Sequence, residues 1–131
     1  MNKLTTIVYV EAIEPCLPFW TDRLGFEVTA RVPHGDRLGF VILQKGGVEL
    51  MYQTHASLAD DLPALVDEVA ASTTTMFIEV AGIDAVERAL AGVEVLVPRR
   101  TTFYGMDEIF VRATCGSVIG FAAPVGGAAA T

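Results

Sequence analysis

The chain has 131 residues, a length typical of one domain, and 52% of its residues are hydrophobic while 19% are charged. This composition can supply a packed core, which excludes an intrinsically disordered protein. The formal net charge of -7 argues against nucleic acid and anionic membranes as partners, and no apolar run is long enough to cross a bilayer.

The N-terminal residues 1–4 lack the apolar segment of a secretory signal peptide. The two cysteines, Cys16 and Cys115, lie far apart and do not have the spacing of a metal site. They are therefore expected to be buried or idle thiols in a reducing cytosol. Together these features predict a cytoplasmic protein.

Two strands and a helix precede a tight hairpin in the first half of the chain. Alternating β-branched residues predict a strand over 4–10, and Pro15 marks the start of a helix that Gly25 ends. Turn residues and glycines then separate further strands. These later strands are predicted at 26–32, 38–44 and 48–53. The first half therefore reads as a βαβββ module at about 4–53.

A connecting helix is predicted at about 59–71, because apolar residues recur there at helical spacing. A second module follows at about 75–124, and its helix begins with a predicted capping box from Asp84 to Glu87. Its strands are predicted at 75–80, 93–97, 108–112 and 118–122. The fold class is thus α+β, in a single domain at 1–131.

The two halves of the chain also resemble each other directly. The segment TTIVYVEAIE from Thr5 is echoed by TMFIEVAGID from Thr75. A repeat of about half the chain predicts two similar units, and such pseudo-symmetry often encloses a cavity. We therefore expect the functional site between the halves.

Two motifs carry a resemblance to a known family. They are FWTDRLGF at 19–26 and YGMDEIFVR at 104–112, the latter continued by GSVIGF at 116–121. With the βαβββ repeat, they resemble the vicinal oxygen chelate superfamily, which includes glyoxalase I, extradiol dioxygenases, and fosfomycin- and bleomycin-resistance proteins. The resemblance implies two βαβββ modules that form a curled mixed sheet around a cleft, commonly in a homodimer.

The same resemblance implies a metal site in the metal-using members. They place four ligands, typically His, Glu, His and Glu, on the first and last strands of the two modules. Carried over to this chain, these positions fall at Thr5, Glu49, Thr75 and Gly120. Only Glu49 remains, since threonine is a poor ligand for a divalent transition metal and glycine has no side chain. The sequence therefore predicts no metal ligands and no cofactor.

Side chains that share a strand face with the ligand positions are predicted to line the cleft. The opposite face is almost purely aliphatic and is expected to pack under the helices. Aromatic walls with a few polar groups suit a small molecule, and carboxylates would favour a cationic one. Arg112 would pair with a ligand carboxylate or with Glu108. The predicted ligand-binding residues are Tyr9, Phe40, Glu49, Met51, Phe77, Glu79, Glu108, Phe110 and Arg112.

The leading hypothesis is a metal-independent, bleomycin-resistance-like protein that sequesters a small molecule, cationic or aromatic, in the cleft of a homodimer. The alternative is a glyoxalase- or dioxygenase-type lyase, isomerase or oxygenase, which would need a divalent metal held by an atypical ligand set. A third hypothesis is a module whose own side chains fill the cleft and which acts through partners. The sequence leaves open the ligand, any catalysis and its residues, exchange of modules between subunits, and the roles of His34 and His55.

Overall fold

The computed structural model describes residues 3–71 and 74–126. Its contacts divide the chain into two compact units, Met1–Thr73 (unit 1) and Thr74–Thr131 (unit 2). Each unit contains one four-stranded mixed sheet, only mildly curled, together with short helices. The predicted α+β class with two βαβββ modules is therefore confirmed. Within the described ranges, no helix is long and apolar enough to span a membrane.

Unit 1 begins with four strands, which are β1 (Thr6–Val10), β2 (Glu27–His34), β3 (Arg37–Lys45) and β4 (Val48–Thr54). They are ordered β1-β4-β3-β2, with β1 parallel to β4 and the other pairs antiparallel. A 3-10 turn at Glu14–Cys16 and a π-helix at Phe19–Arg23 stand where one continuous helix was predicted. Leu17 and Pro18 between them are also helical, so the segment is continuous but irregular; Pro18 has no N–H to donate within the helical hydrogen-bond ladder.

One face of this sheet packs against a buried aromatic cluster. Trp20 is fully buried and packs edge-to-face with Phe19 and Phe26, at ring-centroid distances of 5.2 and 5.0 Å. Its Nε1 donates a hydrogen bond of 2.8 Å to the buried hydroxyl of Tyr52. The sheet residues buried on this side include Val10, Val41, Leu43, Leu50 and Tyr52. The prediction of an apolar face under the helices is thus confirmed for unit 1.

The segment after β4 differs from the predicted single helix at about 59–71. It contains α1 (His55–Asp61), a 3-10 turn (Pro63–Leu65) and α2 (Val66–Ala70). The first helix starts directly after β4 because the Thr54 hydroxyl accepts a hydrogen bond from Ser57 N. It stops before Pro63, since the residue preceding a proline is disfavoured in helical conformation.

Unit 2 repeats the topology, with sheet order β5-β8-β7-β6. Its elements are β5 (Met76–Glu79), α3 (Ile83–Ala89), β6 (Glu94–Thr101), β7 (Met106–Arg112) and β8 (Val118–Pro124). The predicted capping box is wrong, because Gly82 is the N-cap of α3 and has no side chain to cap with. The carboxylates of Asp84 and Glu87 both bind the Arg99 guanidinium instead.

The expectation of two idle thiols is also wrong. Among the described residues there is no free cysteine, and these include both Cys16 and Cys115. Spacing along a sequence does not determine the state of a thiol, because that depends on a geometry the spacing does not reveal. The cytoplasmic location, which rested partly on reduced thiols, stays a prediction.

Candidate functional site

The sheet face of unit 1 opposite the Trp20 cluster carries a row of side chains that crosses all four strands. Tyr9 on β1 and Phe40 on β3 both lie opposite Gln53 on β4, and Val32 on β2 lies opposite Phe40. Tyr9 and Phe40 are half-buried and Val32 is half-exposed. The row therefore presents two aromatic rings and one aliphatic side chain on a partly accessible surface, around the buried amide of Gln53.

Glu49 lies two residues before Met51 on the same face, and the chain itself already binds its carboxylate. The Lys3 ammonium forms an ion pair with Glu49 Oε2, and Thr5 Oγ1 donates a 3.2 Å hydrogen bond to the same oxygen. The hydrogen bond from Lys3 is the main cause of a lowered Glu49 pKa; partial burial opposes it, and Thr5 adds to it. Lys3 and Thr5 would therefore compete with a metal ion for Oε2 of this carboxylate.

These contacts predict an acid-sensitive contribution of Glu49 to stability. Because the pKa of Glu49 is lowered by folding, the contribution is complete above the ordinary pKa of a glutamate, about 4.3. It declines as the pH falls below that value and is lost below the folded-state pKa. We expect the melting temperature of Glu49→Gln to lie below that of the wild type at pH 7, and the gap to narrow progressively as the pH falls below the ordinary pKa of a glutamate. A gap independent of pH would contradict this account.

In unit 2 the corresponding face is closed around a glycine. Phe77 on β5 and Phe110 on β7 both lie opposite Gly120 on β8, and their ring centroids are 6.2 Å apart. A Cβ added at Gly120 would lie 2.5 Å from Phe110 Cε2. The ring of Phe110 thus occupies the space that a side chain at this carried-over ligand position would need.

The strand register adds a correction to the carried-over ligand positions. Extending the β5–β8 pairing by one residue places Val118, rather than Gly120, opposite Thr75. Neither valine nor glycine has a metal-binding atom, so the correction does not supply a ligand. Within residues 3–71 and 74–126, no three His, Cys, Asp or Glu side chains are grouped so that they could hold a metal ion. The donors in this part of the chain do not fit the four-ligand centre of the metal-using members.

Glu108 in unit 2 is a buried carboxylate with partners of its own. Its side chain is 1% exposed, and the Arg100 guanidinium binds its Oε1 through Nε at 2.9 Å and Nη2 at 2.5 Å. The Tyr104 hydroxyl donates to the other oxygen at 3.1 Å. Arg112, the suggested partner of Glu108, instead lies 3.6 Å from Glu94 Oε1. The carboxylate of Glu108 is therefore neutralised within the unit.

The structure separates the nine predicted site residues into two groups, one on each sheet. In unit 1 they are Tyr9, Phe40, Glu49 and Met51, all half-buried on the open face. In unit 2 they are Phe77, Glu79, Glu108, Phe110 and Arg112, of which Phe77, Glu79 and Arg112 are exposed. Ligand binding by these residues stays a prediction.

A groove in unit 1 was not predicted from the sequence. It has a volume of about 600 Å³ and begins at Phe40 and Gln53. Among the contacts described for this part of the chain, one joins two of its lining residues across the groove, His34 Nε2 and Asp60 Oδ2, at 2.6 Å. The residues that line it are Val32, Pro33, His34, Phe40, Gln53, Ser57, Asp60 and Asp61. We call it the His34 groove.

The sequence could have indicated part of this groove. The Thr54-x-x-Ser57 segment directly after a strand is a possible helix start, and a helix from His55 brings Ser57 and Asp60 beside the strands. The connecting helix was instead predicted to start at about residue 59, which left Ser57 outside it. The approach of His34 to Asp60 had no signal, since the two residues lie on separate elements.

No family model matches the sequence, and no curated protein matches it. Solved structures do match over nearly the whole chain. A bleomycin-binding protein from bleomycin-producing Streptomyces verticillus, solved with copper(II)-bleomycin, is 22% identical with a TM-score of 0.64, over 94% of this chain and 96% of that one. A lactoylglutathione lyase from Agrobacterium tumefaciens is 14% identical with a TM-score of 0.72, over 93% of this chain and 92% of that one.

A third structure, a glyoxalase/bleomycin resistance protein/dioxygenase from Nocardioides, is 20% identical with a TM-score of 0.66. It matches over 97% of this chain and 87% of its own. At these identities the likeness establishes the fold. The chain has the glyoxalase/bleomycin-resistance fold, as the sequence motifs predicted.

Proposed function

We propose that this protein binds a small organic molecule non-covalently and without a metal ion, and so sequesters it. The supporting observation is that the only carboxylate at the carried-over ligand positions, Glu49, is already bound by the chain itself, while the residue opposite Thr75 is Val118, which has no metal-binding atom. Lys3 and Thr5 bind the Glu49 carboxylate, and the Phe110 ring covers Gly120. These features favour binding without the usual metal centre, and Tyr9 and Phe40 keep partly accessible aromatic surfaces.

The chemistry of the open face favours a flat ligand with a positive charge. Tyr9 and Phe40 offer rings on either side of Gln53, and aromatic faces attract both planar groups and cations. The net charge of -7 raises the local concentration of cations around the protein. The Streptomyces verticillus protein of the same fold binds copper(II)-bleomycin, which makes bleomycin a rational first probe. We propose that the binding form is a homodimer.

Calorimetric titration of the EDTA-dialysed protein with metal-free bleomycin tests this proposal. We expect saturable binding at micromolar concentrations that is unchanged by EDTA in the buffer. Zinc, nickel, manganese and iron should give no stoichiometric binding, and S-lactoylglutathione should not be consumed or formed. Glu49→Ala is the matched variant for the metal titration. A stoichiometric metal that is lost in Glu49→Ala would overturn the proposal and favour the enzymatic alternative.

A further inference from the structure

We propose that the His34 groove is a subsite for the cationic end of an organic ligand, such as an ammonium, amidinium or guanidinium group. This inference rests on the proposed binding function and assigns the charge preference of that function to a defined place. The position of the groove, its polar atoms and the packing around it each support this proposal.

The groove continues the aromatic row of unit 1. Phe40 and Val32 belong to both, and so does Gln53. A planar group that lies over Tyr9 and Phe40 can therefore extend into the groove without leaving unit 1. A volume of about 600 Å³ is within the range of sites that hold small organic ligands.

The polar end of the groove is rich in hydrogen-bond acceptors and negative charge. Asp60 and Asp61 are exposed carboxylates at the end of α1, and Ser57 contributes a hydroxyl about one turn earlier. His34 binds only one oxygen of Asp60 and so holds this carboxylate in one orientation. Even a protonated His34 would offset only one of the two negative charges. A cation is favoured here, and a ligand carboxylate would be repelled.

The shape of the groove depends on a close approach of β3, at Gly39, to His34 and Ser57. A Cβ at Gly39 would lie 2.6 Å from His34 Cβ and 3.2 Å from Ser57 Cβ, so only glycine leaves both walls in place. Gln53 Nε2 donates a 3.2 Å hydrogen bond to Ser57 Oγ, which ties the β4 side of the groove to its α1 side. The polar atoms are thus positioned before a ligand arrives, which reduces the entropy lost on binding.

Fluorescence titrations of the full chain at pH 7.5 with three planar probes test the subsite. Proflavine is cationic at this pH, acridine is neutral and anilinonaphthalene sulfonate is anionic. We expect Asp60→Asn to weaken proflavine binding about fivefold and to leave acridine binding within about twofold. Asp67→Asn, which removes an equal charge from the exposed surface of α2, should leave both within about twofold. Phe40→Leu should weaken both probes alike, because the ring attracts each of them.

Each outcome separates the subsite from the general function. If proflavine binds but Asp60→Asn does not weaken it selectively, the subsite is wrong while the binding function stands, whatever the effect of Phe40→Leu. The same holds if bleomycin or the anionic probe binds and proflavine does not. If no probe and no bleomycin binds, the proposed function and the subsite fail together. A charge-selective loss in Asp60→Asn alone supports the assignment.

Discussion

Replacing Arg100 with methionine should lower the free energy of unfolding by about 3 kcal/mol, because it leaves the Glu108 carboxylate buried without its cation. Glu108 is 1% exposed, whereas the Arg100 side chain is 55% exposed. Burying an unpaired carboxylate is expensive, and the remaining hydrogen bond from Tyr104 compensates only in part. Urea denaturation of the wild type and the variant measures the loss.

Two further variants show whether the loss comes from the orphaned charge. Arg88→Met removes an exposed arginine from α3 and should change stability by no more than about 0.5 kcal/mol. Adding Glu108→Gln to Arg100→Met should restore part of the stability, because the amide carries no charge. If Arg100→Met is as mild as Arg88→Met, the buried pair does not stabilise unit 2 as described.

Gly120→Ala should destabilise the protein by about 2 kcal/mol, because its Cβ would overlap the ring of Phe110. Moving the ring away from Gly120 would also change its contact with Phe77. In a Phe110→Leu background the same substitution should cost less than about 1 kcal/mol, since the smaller side chain clears the space. Thermal and urea unfolding of the four proteins in this cycle measure the coupling.

Gly47→Ala is the matched control for this cycle, because a Cβ at Gly47 meets nothing within 4 Å. It should be close to neutral. Equal costs of Gly120→Ala in the wild-type protein and in the Phe110→Leu variant would show that the ring does not occupy the position. The description of the unit 2 face as closed around Gly120 would then lose its physical basis.

The sequence predicts the faces of the strands well, because side-chain alternation is a local property of the pleat. Val41 and Leu43 are buried and Phe40 and Ile42 are half-buried, in the predicted order. The sequence underestimates the length of β6, which extends to Thr101 instead of ending at residue 97. Pro98 argues against a strand in the middle of a sheet, but β6 is an edge strand with register shifts, where proline is tolerated.

The partners of the charged residues could not be predicted, because they depend on the register between strands. From the sequence, Arg112 is a candidate ion-pair partner of Glu108, since both lie on one face of β7. The β6–β7 register instead places Arg100 directly opposite Glu108. Bulges between Val95 and Arg100 determine this register, and no local sequence pattern predicts these bulges. The His34–Asp60 contact was invisible for a similar reason, as it joins a strand end to a helix.

The buried Trp20–Tyr52 hydrogen bond also makes unit 1 separately observable. Trp20 is the single tryptophan of the chain, and it lies in the core of unit 1. Its emission spectrum will therefore shift when this core is exposed to water, whatever the state of unit 2. Comparison of that signal with far-ultraviolet circular dichroism, to which both sheets contribute, distinguishes one cooperative transition from two. Trp20 therefore reports on the unfolding of unit 1 alone.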